Sequence, residues 1–155
     1  MFLENDNPRT DTETGLRMLE AERIITEGTR IPVFILRLGG LIGPGRHPGR
    51  FFAGRTDIPN GLSPVNLIHL EDAVGIIRKL AGGEFAPGIY NGCAPDHPSR
   101  REFYGLAAGK LGVALPEFRA EKKSWKIIRS EKVRQELGYR FRYAQLADCL
   151  AADTL

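Results

Sequence analysis

Leu36-Arg37-Leu38-Gly39-Gly40-Leu41-Ile42-Gly43-Pro44-Gly45-Arg46 runs an apolar stretch into a glycine-rich turn. Asn66-Leu67-Ile68-His69-Leu70-Glu71-Asp72-Ala73 answers it twenty residues later, as a short strand entering an acid-capped helix. Parallel α/β sheets carry such turns at their carboxyl edge, where their ligands bind. Arg46, His47, Arg50 and Arg55 lie in the glycine-rich loop that ends the first stretch and leads to the second. Guanidinium forks suit carboxylates and phosphates, although a solvated basic loop explains these residues equally well. Arg46, His47, Asn66 and His69 are the candidate contacts for a small anionic or sugar-like ligand.

Other chemistry reads more weakly. His47, His69 and His97 could act as bases or metal ligands, but only Cys93 and His97 share a short spacing. Two ligands do not make a zinc site, so no metal is expected and structural roles are favoured for the histidines. No G-x-S-x-G elbow marks a serine nucleophile. Asp72 falls at a strand-to-helix junction, where it is expected to cap the helix or to favour its start by charge. Gly43, Gly45 and Pro48 break the G-x-G-x-x-G pattern, with proline where the third glycine belongs. Gly105 to Lys110 is one residue short of a P-loop and lies inside a predicted helix. These 155 residues therefore hold no phosphate-cradling loop.

Composition narrows the classes further. Apolar residues make up 42% and charged residues 26%, as in ordinary globular domains. No apolar run approaches the roughly 20 residues of a membrane helix, so no membrane partner is expected. The net charge of +3 is modest and its basic residues are scattered, which argues against nucleic acid. Arg119, Lys122, Lys123 and Lys126 read as solvated surface. Two isolated cysteines, Cys93 and Cys149, suit reduced thiols and a cytoplasmic location rather than a disulfide framework.

The elements that must position these residues follow from periodicity. Thr10-Asp11-Thr12-Glu13 has capping-box spacing and predicts a helix to about Glu27, ended by Gly28. Its inward face would be Leu16, Met18, Leu19, Ala21, Ile24 and Ile25. Ile31 to Leu36 is a nearly continuous apolar run, as in a strand buried on both faces of a parallel sheet. Residues 39 to 64 hold seven glycines and four prolines and form a long loop. A helix over Glu71 to Leu80, a strand at Ile89-Tyr90-Asn91 and a second capping box at Ser99-Arg100-Arg101-Glu102 follow. That box opens a helix to about Leu111, and further helices are expected over Ser130 to Gly138 and Ala144 to Ala152.

Leu36-Arg37, Gly43-Pro44-Gly45-Arg46, Ile68-His69-x-x-Asp72-Ala73, Gly88-Ile89-Tyr90-Asn91 and Ser130-x-Lys132 with Leu137-Gly138-Tyr139 occur in one order along nearly the whole chain. That ordered set resembles the carboxyl-terminal half of an extended short-chain dehydrogenase/reductase, in the NAD-dependent epimerase/dehydratase family, and Thr14 to Glu22 resembles an atypical branch of it. The resemblance implies an α/β fold: a partial Rossmann-like parallel sheet plus a small mixed substrate-binding subdomain. Residues 1–13 would be an irregular N-terminal segment and 14–155 the substrate-binding half, without the dinucleotide-binding half. Leu38, Gly39 and Gly40 would then be cofactor-binding. A full-length relative is expected to bind NAD(P), and this chain alone none.

In the family a Tyr-x-x-x-Lys helix exchanges a proton with substrate, the lysine lowering the tyrosine pKa and holding the ribose. Thr14 stands in the tyrosine position and Met18 in the lysine position. Neither can replace them: a threonine hydroxyl is far too weak an acid, and a thioether carries no charge. The family's asparagine before V-Y-G-P is Gly40 here. The phosphate-binding arginine of many nucleotide-sugar enzymes is Val65. The resemblance thus implies a substrate-binding portion without the usual redox catalysis. Alternatives are a non-catalytic small-anion binding module, an oligomerising interaction protein, and a residual enzyme with His69 or His47 as base. Exposed parallel strands invite pairing, so a homo-oligomer is expected.

Overall fold

The computed structural model describes residues 2–4, 6 and 10–151. Helix α1 spans Glu13–Glu27, and strand β1, Phe34–Leu38, leads directly into β2, Gly40–Ile42. Strand β3, Leu67–His69, runs without a break into α2, Leu70–Gly82. Strand β4, Gly88–Gly92, α3, Arg100–Leu111, and the short α4, Glu131–Gln135, complete the order. Two parallel pairs form: β1 with β4, Phe34 opposite Gly88, and β2 with β3, Gly40 opposite Leu67. The fold is α/β with short parallel sheets, as the ordered motifs imply.

Side chains alternate across a strand, so β3 feeds two cores at once. Leu67 packs with Ile42, Val65, Phe103, Ala107, Tyr143 and Leu146. Its neighbour Ile68 packs with Ala73, Ile76, Tyr90 and Val133. The first core extends under the long loop, where Phe51, Phe52 and Phe118 close on Tyr104. Arg100 lies over the rings of Phe52 and Phe118, at 5.1 and 5.3 Å from their centroids.

Local chemistry sets several boundaries. The Ser99 hydroxyl accepts from the Glu102 N–H while the Glu102 carboxylate accepts from the Ser99 N–H, so the second capping box forms as expected. At α1 the cap is Thr12, whose hydroxyl accepts from the Gly15 N–H, and not Thr10. Of the expected irregular start, Phe2 makes a parallel bridge to Ile128 through hydrogen bonds to the 127 and 129 backbone.

Several expectations change. The strand expected from Ile31 starts at Phe34 and is only partly buried, and residues 40–42 of the expected long loop are strand β2. Helix α1 buries none of its residues: Leu16, Met18, Ile24 and Ile25 are 54–63% exposed. An apolar stripe specifies what can be buried, and here nothing in the described residues covers it. The helix expected from Ser130 to Gly138 is only Glu131–Gln135, and the Ser130 side chain does not cap it. Its hydroxyl instead accepts from the Cys93 N–H and donates to the Cys93 carbonyl. The helix expected over Ala144 to Ala152 is one 3-10 turn, Asp148–Leu150, with Ala152 outside the described residues.

Candidate functional site

The carboxyl ends of β1 and β2 carry the candidate residues. Between α1 and β1 lies an open cleft of about 800 Å³, walled by Met18, Leu19, Ile25, Leu36 and Leu38, with Lys126 at its edge. One bidentate pair ties its two walls together: Arg37 Nε and Nη2 donate to Glu22 Oε1 and Oε2 at 2.9 and 2.5 Å. That pairing holds the Arg37 guanidinium above its ordinary value. Met18 faces this cleft, whereas Thr14 is exposed on the first turn and is not one of its walls.

Gly39 and Gly40 pass beside β3 without room for side chains. A Cβ at Gly39 would stand 3.0 Å from the Asn66 carbonyl oxygen, and one at Gly40 2.7 Å from Leu67 Cδ2. The close approach lets the Gly40 N–H donate to the Asn66 carbonyl at 2.8 Å. Gly39 and Gly40 therefore form a side-chain-free shelf between the two strand pairs, with the Leu38 side chain at its edge in the cleft.

Beyond β2 the chain turns over His69. Gly43 has φ +151°, and a Cβ there would meet Leu70 Cβ at 2.9 Å and approach His69 Nε2 to 3.7 Å. Glycine permits both the backbone angle and the contact. His69 itself is 1% exposed, its Nδ1 accepts from the Glu71 N–H, and its ring lies 4.2 Å from that of Tyr143. It caps α2 from beneath the turn.

Arg46 is exposed on that turn, its Nε donating to the Leu41 carbonyl and its guanidinium lying over Phe51. His47 Nδ1 accepts from the Gly49 N–H at 2.9 Å and caps a 3-10 turn, Pro48–Arg50. Burial, with Arg50 beside it, holds His47 below the ordinary imidazole value. This turn sits hard on α3, where a Cβ at Gly49 would fall 2.5 Å from the Ala107 carbonyl oxygen.

The structure thus gathers Arg46, His47 and His69 around one glycine turn, and places Asn66 at the other end of β3. Asn66 donates to the Lys126 carbonyl and accepts from the Ile128 N–H, fastening the segment that edges the α1–β1 cleft. Sequence reading missed the role of Asp72. Its fully buried carboxylate accepts from the Tyr139 hydroxyl and from the Arg142 and Tyr143 N–H groups, at 2.7–3.0 Å. The helix start is capped by His69 instead. Glu4 is likewise buried and accepts from the Asn91 and Lys132 N–H groups.

No family model matches the chain. Over 139 residues it is 46% identical to Protein YeeZ of Escherichia coli K12, covering 88% of this chain and 50% of YeeZ. The chain therefore spans about half the length of YeeZ. Among solved structures, a functionally unknown conserved protein from Silicibacter pomeroyi superposes with a TM-score of 0.82 at 22% identity, covering 98% of this chain and 60% of that one. MoeE5 in complex with UDP-glucuronic acid and NAD gives 0.77 at 20% identity, with 97% and 56% covered. Human epimerase family protein SDR39U1 with NADPH gives 0.72 at 19% identity, with 96% and 57% covered. The chain carries the fold of the carboxyl-terminal half of an extended short-chain dehydrogenase/reductase of the NAD-dependent epimerase/dehydratase family.

Proposed function

We propose that these residues form the substrate-binding half of an NAD(P)-dependent epimerase/dehydratase-like protein that works without a Tyr-Lys proton relay. The observation that carries this reading is Met18. It lines the same cleft as Leu38 at the carboxyl end of β1, where the family resemblance puts a charged lysine. A thioether there can pack against an apolar ring but can neither hold a ribose hydroxyl nor depress a tyrosine pKa.

Leu38, Gly39 and Gly40 would meet the cofactor of the longer protein. They supply no pyrophosphate cradle, because Gly43-Pro44-Gly45 leads into the three-residue turn Pro48–Arg50 rather than into a helix with an amino-terminal dipole. YeeZ is about twice as long as the matched segment. We place the pyrophosphate contacts in the part of such relatives that this chain does not cover.

Arg46 and His47 are the substrate contacts in this reading; His69 holds the start of α2 beneath their turn, and Asn66 holds the segment that edges the α1–β1 cleft. Titration of the isotope-labelled chain with glucose 1-phosphate, a small anionic sugar, tests it. Saturable shifts confined to Gly43–Arg50, and lost in Arg46→Gln, are expected. An unperturbed turn at saturating ligand elsewhere, or shifts that persist in Arg46→Gln, would overturn it.

A second reading rests on exposed surface. The described partner of β1 is β4 alone, and Met18, Ile24 and Ile25 lie uncovered beside it. An open strand edge beside an apolar helix face invites another chain. Self-association should therefore appear by light scattering, and Ile25→Lys should abolish it. A monomer at every accessible concentration removes this reading.

A further inference from the structure

Strand β1 has one edge against β4 and another with a regular pattern of unused backbone groups. The Gly39 N–H donates to the Gly92 carbonyl and the Gly88 N–H to the Val33 carbonyl, at 2.8 and 2.9 Å. With Ile35 opposite Ile89 and Arg37 opposite Asn91, the N–H and C=O groups of Ile35 and Arg37 turn toward β4. Those of Phe34, Leu36 and Leu38 therefore turn to the other edge, where no described group hydrogen-bonds to them. The α1–β1 cleft runs along that edge, with Leu36 and Leu38 in its wall. Backbone pairs at alternate residues are what a further parallel strand bonds to, and a sheet of two strands is marginal without one.

Helix α1 marks the side on which such a strand belongs. A helix joining two parallel strands packs across both, in a right-handed sense. Through residues 28–33, α1 leads into β1, and β4 already occupies the far edge of that strand. Met18 and Ile25 line the cleft beside the free edge, yet they are 63% and 54% exposed. A strand that precedes α1 and runs parallel to β1 would lie beneath them. Longer relatives have chain enough to supply it: the matched residues are 50% of YeeZ, and 56% and 57% of MoeE5 and SDR39U1.

We infer that the free edge of β1 and the apolar stripe of α1 are a docking face for the part of such relatives that these residues do not match. That part adds a strand parallel to β1 and completes a β–α–β unit. This docking face rests on the substrate-half reading, but the two fail separately: a glycine turn that ignores glucose 1-phosphate removes the substrate contacts and says nothing of the β1 edge.

Amide hydrogen exchange tests the docking face, on this chain diluted until light scattering shows a monomer and on intact YeeZ at the matching positions. In this chain the Phe34, Leu36 and Leu38 amides are expected to exchange at least about tenfold faster than those of Ile35 and Arg37, which are bonded to β4. In YeeZ all five matching amides should be slow, with the alternation reduced to about twofold or less. Ile25→Lys should leave the urea midpoint of the dilute chain unchanged, because nothing of this chain covers that side chain. Alternation that persists in YeeZ, edge amides already slow in the monomer, or a midpoint lowered by Ile25→Lys would each overturn the inference. Edge protection that rises with the concentration of this chain, while the YeeZ amides stay fast, would give the face to a second copy and overturn it too.

Discussion

The Glu22 carboxylate and the Arg37 guanidinium form a two-bond, half-buried clamp between α1 and β1. Since α1 buries none of its own side chains, this clamp is a principal tie between the helix and the sheet. Bidentate charge-assisted pairs sheltered from solvent are worth more than exposed ones, which mostly contribute 1 kcal/mol or less.

Breaking the clamp should loosen one element without unfolding the rest. In Glu22→Gln, amide hydrogen exchange across residues 13–27 is expected to speed up by about tenfold, corresponding to ~1.4 kcal/mol. Exchange in α2 and β4 should stay within twofold. Equal acceleration everywhere would mean that α1 and the core unfold as one unit.

Asp72 should behave oppositely, as a global tie. Asp72→Ala leaves the Tyr139 hydroxyl and the Arg142 and Tyr143 N–H groups without their acceptor. A loss of roughly 3 kcal/mol in urea unfolding is expected, against about 1 kcal/mol for Tyr139→Phe, which removes one of the three bonds. A Tyr139→Phe cost equal to that of Asp72→Ala would show that the two backbone donors find other partners.

His47 gives a pH dependence whose sign is fixed. Its folded pKa lies below the ordinary 6.5, first through burial and then through Arg50. The unfolded chain therefore binds the proton more readily, and the contribution of His47, present above pH 6.5, is lost as pH falls through the folded value. Protonating Nδ1 also removes the acceptor of the Gly49 N–H. Stability curves from pH 7.5 down to about 5 should fall less steeply in His47→Asn, which can still cap the turn. Parallel curves would contradict this account of the turn.

Both thiols should be inert in the folded chain. Burial pushes Cys93 up to about 12 and Cys149 up to about 11, and neither side chain reaches solvent. Thiolate is the reactive form. Labelling by an aromatic disulfide reagent at pH 8 is expected only at the rate of unfolding, for both cysteines. A fast-reacting thiol in the native protein would show that one of the two cores opens locally.

What could be read in the sequence was what is decided locally. The Ser99–Glu102 capping box, the junction of β3 with α2 and the apolar run into Gly39 each depend on residues within one or two turns. The clamp and the Asp72 network were not legible, because Glu22 meets Arg37 across 15 positions and Asp72 meets Tyr143 across 71. Asp72 sits where a carboxylate also favours a helix start, so its local role concealed its distant one. The stripe on α1 marked apolar residues correctly and gave no sign of what would lie against them. Ser130 looked like a cap for the same reason: no pattern announces that Cys93 claims its hydroxyl first.

The central claim is that these residues hold the substrate side of the fold and leave the dinucleotide contacts to the part of longer relatives they do not cover. Titration of the 155-residue chain with NAD and with NADP, followed by calorimetry, tests it most directly. No saturable binding below about 1 mM, an affinity of roughly 4 kcal/mol, is predicted. Micromolar affinity for either nucleotide would contradict the account.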